Sequence, residues 1–252
     1  MRKHFLSLLV MTVMGLSAIA QTKVIAHRGA WKQDNLPQNS IASLQKAAAL
    51  KVWGSEFDVH LTKDDVLVVN HDADFYGMDI AEVTHAELRT KTHPNGEYIP
   101  TLEEYLKAGL KLKGLKLILE LKASSLGKAR TQDAVPMVLA VIKKLKAQDR
   151  IEIISFDYEA CLKFRELNAT IPVHYLTGDK SPQQIKDAKL TGVDYHYSLF
   201  QKNPTWIQEF KALGLKTNAW TANKQEDIQF LIDQKIDFIT TDEPELALKL
   251  VK

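Results

Sequence analysis

Residues 116–121 have the sequence KLILEL, a short apolar run that predicts a buried β-strand, and residues 132–146, QDAVPMVLAVIKKLK, follow as a predicted helix. The same order, a short strand and then a longer amphipathic helix, is predicted repeatedly on both sides of this segment. Strands that alternate with helices are typical of parallel βαβ units, in which each helix returns the chain to the start of the next strand. The repeated unit therefore predicts an α/β protein with a mainly parallel sheet.

Counting outward from this segment gives eight such units. The predicted strands are 23–26, 55–61, 66–70, 116–121, 151–155, 173–176, 193–198, 216–221 and 238–240, and the pair 55–61 and 66–70 counts as one hairpin-like unit. The predicted helices are 39–51, 102–110, 132–146, 159–167, 182–189, 204–213, 225–233 and 245–251. A polar, irregular stretch at about 73–98 predicts a small insertion after the second β-unit.

The number of units favours a closed barrel. Eight units in about 230 residues approach the size of a (β/α)8 TIM barrel, which is typically about 250 residues. The alternative is an open, doubly wound sheet, which often has a glycine-rich phosphate turn after its first strand. His27-Arg28-Gly29 occupies that place here, and no linker or clear internal repeat interrupts the chain. We predict a single TIM-barrel domain over residues 21–252.

The first twenty residues have the pattern of a secretory signal peptide. A short basic start is followed by the uncharged, mostly apolar run 5–16, and small residues precede a cut between Ala20 and Gln21. The alternative is a buried or membrane-spanning helix, but the apolar run is short for a span. We expect an exported protein, periplasmic or secreted, whose mature chain has no stable membrane insertion.

Composition narrows the classes of partner. The 252 residues include 33 basic and 31 acidic side chains, and the excess of two lies at Arg2 and Lys3, before the predicted cut. A neutral body argues against a broad nucleic-acid or anionic-membrane surface. The only cysteine, Cys161, excludes an intramolecular disulfide and a cysteine-rich zinc site. We expect a small-molecule ligand and no nucleic-acid partner, and composition leaves the oligomeric state open.

Three carboxylates stand where barrels carry their chemistry, at the carboxyl ends of the strands. Glu56 and Asp58 are two apart on one predicted strand and therefore share a face, where they repel one another unless a cation compensates. An exposed edge strand would explain that pair alone, but Glu120 also interrupts an apolar run on a separate strand. Carboxylates without cysteine suit a hard cation, so we predict a Ca²⁺ or Mg²⁺ site.

Histidines and basic residues lie at the same level of the predicted barrel. His27 and His71 end two strands beside the presumed metal and could divide the work of acid and base near neutral pH. Arg28 and Lys122 add an anion site, most simply one for phosphate. Lys122 also has a plainer interpretation, an ion pair with a site carboxylate. Further polar or aromatic residues at predicted strand ends are Asp72, Ser155, Trp220 and Asp242.

These residues form an ordered series that resembles the glycerophosphodiester phosphodiesterase family over about 24–242. The segments that carry the resemblance are His27-Arg28-Gly29, Pro37-Gln38-Asn39-Ser40, Glu56-Phe57-Asp58-Val59 with Leu61-Thr62, 68–72, Ile99-Pro100-Thr101-Leu102-Glu103, Leu119-Glu120-Leu121-Lys122, Ser155-Phe156, Trp220-Thr221-Ala222-Asn223 and Thr241-Asp242. Each segment alone is weak evidence, whereas their order and spacing together are specific.

The resemblance implies a TIM barrel that hydrolyses glycerophosphodiesters to glycerol 3-phosphate and an alcohol. It also implies roles for the matching residues: Glu56, Asp58 and Glu120 as ligands of one divalent cation, His27 and His71 as the acid–base pair, Arg28 and Lys122 as phosphate contacts, and Trp220 as an aromatic on the glycerol side. The insertion after His71 is similar to the small cap of the family.

One position departs from the family pattern. The family usually has Glu where this chain has Gln38, which keeps the size and an acceptor oxygen but loses the charge. We expect Gln38 to contact and orient Arg28 or His27, on the side away from the substrate, and not to be a principal ligand of the cation. Two alternative functions stay open: a lysophospholipase D-like activity, and a catalytically weak protein that binds phosphodiesters.

Overall fold

A closed barrel of parallel strands forms the centre of residues 21–252, the part of the chain that the computed structural model describes. The strands are β1 Lys23–Ala26, β2 Gly54–Leu61, β3 Leu67–Val69, β4 Lys116–Leu121, β5 Ile151–Ser155, β6 Val173–Tyr175, β7 Gly192–His196, β8 Lys216–Trp220 and β9 Phe238–Thr241. β1 pairs in parallel with both β2 and β9 and so closes the ring, while β3 lies outside it, antiparallel to β2. The predicted (β/α)8 TIM barrel is confirmed.

Helices surround the barrel. They are α1 Ile41–Ala49, α2 His85–Leu88, α3 Leu102–Lys111, α4 Lys128–Lys144, α5 Tyr158–Leu167, α6 Pro182–Asp187, α7 Tyr197–Lys202, α8 Trp206–Ala212, α9 Gln225–Asp233 and α10 Pro244–Leu250, and a short 3₁₀ turn covers Gln148–Arg150. Local signals in the sequence explain several starts. At α3, Thr101 and Glu104 form the reciprocal capping box that their spacing predicts. Within 21–252, no helix combines the length and apolarity needed to cross a membrane.

Alternation along each strand sends side chains into two separate apolar layers. Outward-facing residues pack against the helices in one large core. Inward-facing residues fill the barrel below its carboxyl-terminal ends; they are Ile25, Ile118, Ile154, Leu176 and Phe238, with Trp53 and Trp220 packed against them. Because this inner layer plugs the barrel, a ligand can enter only above it, at the carboxyl ends of the strands.

One predicted element is wrong in its second half. The pattern predicted a strand over 193–198, but β7 ends at His196 and α7 begins at Tyr197. The imidazole Nδ1 of His196 accepts a hydrogen bond from the backbone N–H of Ser198 and so caps the helix. A side-chain cap of this kind is invisible to strand periodicity, because Tyr197 and Ser198 continue the alternation of the preceding strand.

The insertion after β3 has a small apolar core of its own. Val68, Phe75, Ile80, Leu88 and Ile99 pack together there, and the segment includes α2. This packing holds the insertion against the mouth of the barrel, beside the end of β3. The predicted signal peptide, residues 1–20, lies outside the described residues.

Candidate active site

Three buried carboxylates converge at the carboxyl-terminal end of the barrel. Glu56 and Asp58 share the inward face of β2, and Glu120 of β4 stands in register with Asp58. Ligand oxygens of the three side chains all lie within 4.8 Å of one another. The structure therefore brings together the residues predicted as metal ligands, and this cluster could hold a divalent cation.

The electrostatics of the cluster show why a cation fits it. Burial, followed by the charges of Asp58 and Glu120, raises the pKa of Glu56 well above its usual value. Burial and the charge of Asp58 raise the pKa of Glu120 to about 7. Burial also opposes ionisation of Asp58, but the charges of Lys122 and His71 and the hydrogen bond from Asn39 together outweigh it and hold the pKa of Asp58 below its usual range. Three carboxylates so close together need a positive charge to ionise together.

The turn after β1 aims Arg28 at this cluster. Arg28 and Gly29 both have left-handed backbone conformations, with φ of +56° and +81°. Position 29 requires glycine on two grounds, because a side chain there would also collide with Ser43. The turn points the Arg28 backbone N–H at Glu56 Oε2, 2.9 Å away. The guanidinium Nη1 of Arg28 donates a hydrogen bond to Gln38 Oε1 at 2.7 Å.

Gln38 contacts the arginine, and its amide oxygen is occupied by that contact. The Arg28 Nε lies 3.8 Å from Asp58 Oδ2 and has no hydrogen-bond partner within residues 21–252. The guanidinium thus keeps a free N–H next to the carboxylates while Gln38 holds its far side. A Glu at position 38 would form an ion pair with Arg28 at the same place.

Lys122 pairs with the carboxylates of the cluster. Its Nζ lies 2.8 Å from Glu120 Oε1 and 3.4 Å from Asp58 Oδ1. Burial alone would lower the pKa of Lys122, but the charges of Asp58 and Glu120 outweigh burial and raise it. The ion pair that the sequence left as an alternative is present, and the charged ammonium also faces the cavity beside it.

His27 is held by a partly buried hydrogen-bond network at the end of β9. Its Nδ1 lies 2.7 Å from Asp242 Oδ1, and Asn223 Nδ2 donates to the other carboxylate oxygen of Asp242 at 2.7 Å. Asn223 Oδ1 in turn accepts from the Asp242 backbone N–H. Burial opposes ionisation of Asp242, but its hydrogen bond and charge interaction with His27 hold its pKa below the usual range. The network orients the imidazole and leaves Nε2 free.

His71 has a similar partner in a different environment. Its Nδ1 lies 2.7 Å from Asp72 Oδ1, but the Asp72 side chain is 78% exposed, against 18% for Asp242. Burial, assisted by the charges of Lys122 and Arg28, lowers the pKa of His71 in spite of Asp58. Within residues 21–252, Nε2 of each histidine therefore has no hydrogen-bond partner, and the carboxylate paired with His27 is much less exposed than the one paired with His71.

A cavity of about 170 Å³ joins these groups. Charged and polar groups form one side, and the apolar wall opposite consists of Ile154, Phe156, Leu176 and Trp220. The Trp220 indole is fixed by its N–H, which donates to the Asp194 backbone carbonyl at 3.0 Å, and by edge-to-face packing with Phe156. A larger cleft of about 740 Å³ lies between the β1–α1 loop and the insertion, and shares Arg28 and His71 with the first.

Three contacts at the site were not predicted from the sequence. Asp72 and Asp242 were placed at strand ends but given no role, and both hold a histidine. Asn39 grips Asp58 from two sides: its Nδ2 donates to Asp58 Oδ2 at 2.9 Å and its Oδ1 accepts from the Asp58 backbone N–H at 3.1 Å. Asn39 has a left-handed backbone conformation with φ of +61°, which Asn adopts more readily than most residues. The residue type at position 39 is therefore the only local feature of the sequence that is consistent with this turn.

The fold and the site define a phosphoric diester hydrolase built on a (β/α)8 barrel. The chain belongs to the glycerophosphoryl diester phosphodiesterase family, whose sequence model matches residues 27–246. It is similar to a glycerophosphodiester phosphodiesterase of Caldanaerobacter subterraneus subsp. tengcongensis, with 29% identity over 92% of this chain and 98% of that protein.

Solved structures agree with that assignment. A crystal structure of a glycerophosphodiester phosphodiesterase from Parabacteroides distasonis is 44% identical, with a TM-score of 0.89 over 92% of this chain and 97% of that one. A phosphodiesterase from Oleispira antarctica, solved in complex with the product sn-glycerol-3-phosphate, is 25% identical with a TM-score of 0.81, over 92% of this chain and 97% of that one.

Proposed function

We propose that this protein hydrolyses glycerophosphodiesters to glycerol 3-phosphate and an alcohol, with one divalent cation, Ca²⁺ or Mg²⁺, and with His27 and His71 as general acid and base. The observation that carries the proposal is that both histidines, Arg28, Lys122 and two members of the carboxylate cluster, Glu56 and Glu120, line a single cavity. The product bound to the Oleispira antarctica relative supports the class of substrate.

The carboxylate cluster suits a hard divalent cation. Its donors are all oxygens, and Glu56 Oε1 is buried without a hydrogen-bond partner within residues 21–252. Glu56, Asp58 and Glu120 would hold the ion. When bound, such an ion neutralises charge on phosphate oxygens and lowers the pKa of a hydroxyl group beside it.

Arg28 and Lys122 would bind the phosphate from the side of the cluster. The free Nε–H of Arg28 and its fixed guanidinium plane provide directional hydrogen bonds, and Lys122 provides a point charge. Binding of the phosphate in this cavity places the glycerol part of the substrate toward the apolar wall that includes Trp220.

The two histidines would then move the protons. In the first step, one histidine removes the proton of the glycerol 2-hydroxyl, whose oxygen attacks phosphorus, and the other protonates the departing alcohol oxygen. The product of that step is a cyclic phosphate, and water opens it with the two histidines in exchanged roles. Because Asp242 and Asp72 accept from Nδ1, both imidazoles present Nε2 for these transfers. General acid–base catalysis of this kind contributes about 10²–10⁴-fold in rate.

Release of choline from glycerophosphocholine in the presence of Ca²⁺ or Mg²⁺ tests the proposal. We expect turnover with added metal, loss of turnover on chelation, and recovery when metal is restored. Glu120→Gln should abolish turnover and metal binding while the barrel remains folded. Glu152→Gln is the matched control, because Glu152 is a largely buried carboxylate of the neighbouring strand β5 that pairs with His174 outside the cavity.

Three results would contradict the proposal. Full activity of exhaustively chelated protein that contains no metal by elemental analysis would show that the reaction needs no cation. Tight binding of glycerophosphocholine without any turnover would favour a binding protein. Hydrolysis of lysophosphatidylcholine in preference to glycerophosphocholine would favour the lysophospholipase D-like alternative.

We also propose that the protein is exported. The support is the sequence pattern of residues 1–20, with its basic start, apolar run and small residues before Gln21. An exported enzyme of this class would act on phosphodiesters outside the cytoplasm.

A further inference from the structure

The carboxyl group of Asp194, here called the polar floor, forms part of the lining of the 170 Å³ cavity. Asp194 of β7 is 1% exposed and lines the cavity, and neither of its carboxyl oxygens has a hydrogen-bond partner within residues 21–252. A buried carboxyl group without partners is costly, and native structures rarely keep one without a reason. The proposed hydrolysis, as described above, makes no use of Asp194.

Asn218 of β8 stands in register with Asp194, beside the floor, and its Nδ2 donates to Thr240 Oγ1 of β9 at 2.9 Å. Its Oδ1 is buried without a partner in the described part of the chain, but Asn218 is not one of the residues that line the cavity. The Asn218 side chain interacts with the Asp194 carboxyl group and opposes the rise in the pKa of Asp194. The cavity itself therefore meets the carboxyl group of Asp194, with Asn218 behind it.

The chemistry of the floor is that of a hydroxyl-binding site and not of a second metal site. The oxygens that come within 4.8 Å of one another belong to Glu56, Asp58 and Glu120, and Asp194 is outside that group among the described residues. Burial, followed by the charge of Glu120, raises the pKa of Asp194 well above its usual value. A neutral carboxyl group both donates and accepts hydrogen bonds, as a hydroxyl group does.

The surroundings indicate which hydroxyl would reach the floor. The backbone carbonyl of Asp194 accepts a hydrogen bond from the Trp220 indole N–H, so Asp194 lies next to the apolar wall of the cavity. A phosphate held by Arg28 and Lys122 at one side would direct the carbon chain of glycerol along this wall. The free terminal hydroxyl of glycerol, the group farthest from the phosphate, would then meet Asp194.

We propose that Asp194 binds the terminal hydroxyl of the substrate's glycerol moiety and so selects glycerol phosphodiesters over those that lack this hydroxyl. The inference rests on the proposed function and adds to it a residue that determines specificity. Asp194 touches the part of the substrate that does not react, so its effect falls on recognition.

The test compares two substrates that differ in that hydroxyl alone. The first is glycerophosphocholine, and the second is the phosphocholine ester of propane-1,2-diol, which retains the attacking 2-hydroxyl. We expect wild-type kcat/KM to favour the first by about 10- to 100-fold, the effect of leaving buried acceptors unpaired. In Asp194→Ala the preference should fall to less than about threefold, mainly through slower use of glycerophosphocholine. Asp194→Asn keeps the shape and should be intermediate.

Glu152→Gln serves as the control for a general disturbance of the barrel interior, and it should keep the wild-type preference. Equal loss of both substrates in Asp194→Ala and Asp194→Asn would overturn the inference and show that Asp194 is structural. A wild-type enzyme that uses both substrates equally would overturn it as well.

A binding measurement separates this inference from the proposed reaction. Calorimetry would compare sn-glycerol 3-phosphate with propane-1,2-diol 1-phosphate. If neither substrate turned over, the proposed reaction would fail. Tighter binding of the glycerol compound by wild type but not by Asp194→Ala would still support the hydroxyl-binding role of Asp194. Equal binding of both compounds by wild type would contradict the floor.

Discussion

The two histidine–aspartate pairs provide a prediction that depends on how exposed each aspartate is and on what else it contacts. The distance from Nδ1 to the carboxylate oxygen is 2.7 Å in both His27–Asp242 and His71–Asp72, but Asp242 is 18% exposed and Asp72 is 78% exposed. We expect Asp242→Asn to lower kcat by about 10²–10⁴-fold, the range of general acid–base catalysis. Asp72→Asn should lower it by no more than about fivefold, because an exposed ion pair contributes about 0–1 kcal/mol.

The structure explains why even the isosteric change at Asp242 is severe. Asp242 uses one oxygen for His27 and the other for Asn223, which donates its amide nitrogen. Asparagine has a single oxygen, so its new N–H₂ faces either His27 Nδ1 or the N–H₂ of Asn223. The first arrangement reverses the imidazole tautomer, a change that costs about 10⁴-fold in a Ser-His-Asp triad, and the second opposes two donors.

Steady-state release of choline at saturating Ca²⁺ or Mg²⁺ measures both variants, and thermal unfolding checks that each is folded. The expected result is a large loss of kcat in Asp242→Asn, with a small loss in Asp72→Asn. The reasoning would be refuted by a folded Asp242→Asn enzyme that retains more than a tenth of wild-type kcat, or by Asp72→Asn being the more damaging change.

Three further predictions concern other parts of the chain. Gln38→Glu should change metal affinity and turnover by about tenfold or less, about 1.4 kcal/mol, because residue 38 contacts Arg28 and not the carboxylate cluster; a several-hundredfold gain in turnover would show that the missing charge is central. Burial of Glu152 opposes its ionisation, but the hydrogen bond and charge of His174, with the charges of Lys116 and Lys23, together outweigh burial and hold the pKa of Glu152 below its usual value. This pair therefore stabilises the fold above the unfolded-state pKa of about 4.5 and loses that effect as the pH falls further, so denaturant titrations from pH 6 to 3 should show a shallower loss of stability in Glu152→Gln than in wild type. Mass spectrometry of protein recovered from the producing cell's envelope should find Gln21 at the amino terminus, and an intact Met1 would contradict cleavage.

Much of the barrel followed from local pattern. The strands Lys23–Ala26, Lys116–Leu121 and Ile151–Ser155 have the bounds that the sequence predicted, since short apolar runs between helices have few other stable arrangements. Periodicity of two also put Glu56 and Asp58 on one face before any partner was known. The number of units then indicated a closed barrel, in which all strand ends meet at one side.

The sequence by itself thus determined which residues stand at the ends of the strands, because strand period and chain order are local properties. Only the tertiary structure decided what each of them touches. Asp242 lies 215 residues from His27 in the sequence, and Asn39, which forms hydrogen bonds with Asp58, lies in a different loop. Asp194 was one acidic residue among 31 until the closed barrel placed its carboxyl group in the lining of the cavity, where neither oxygen has a hydrogen-bond partner within residues 21–252. Contacts across a barrel depend on register and closure, which no local segment of the chain contains.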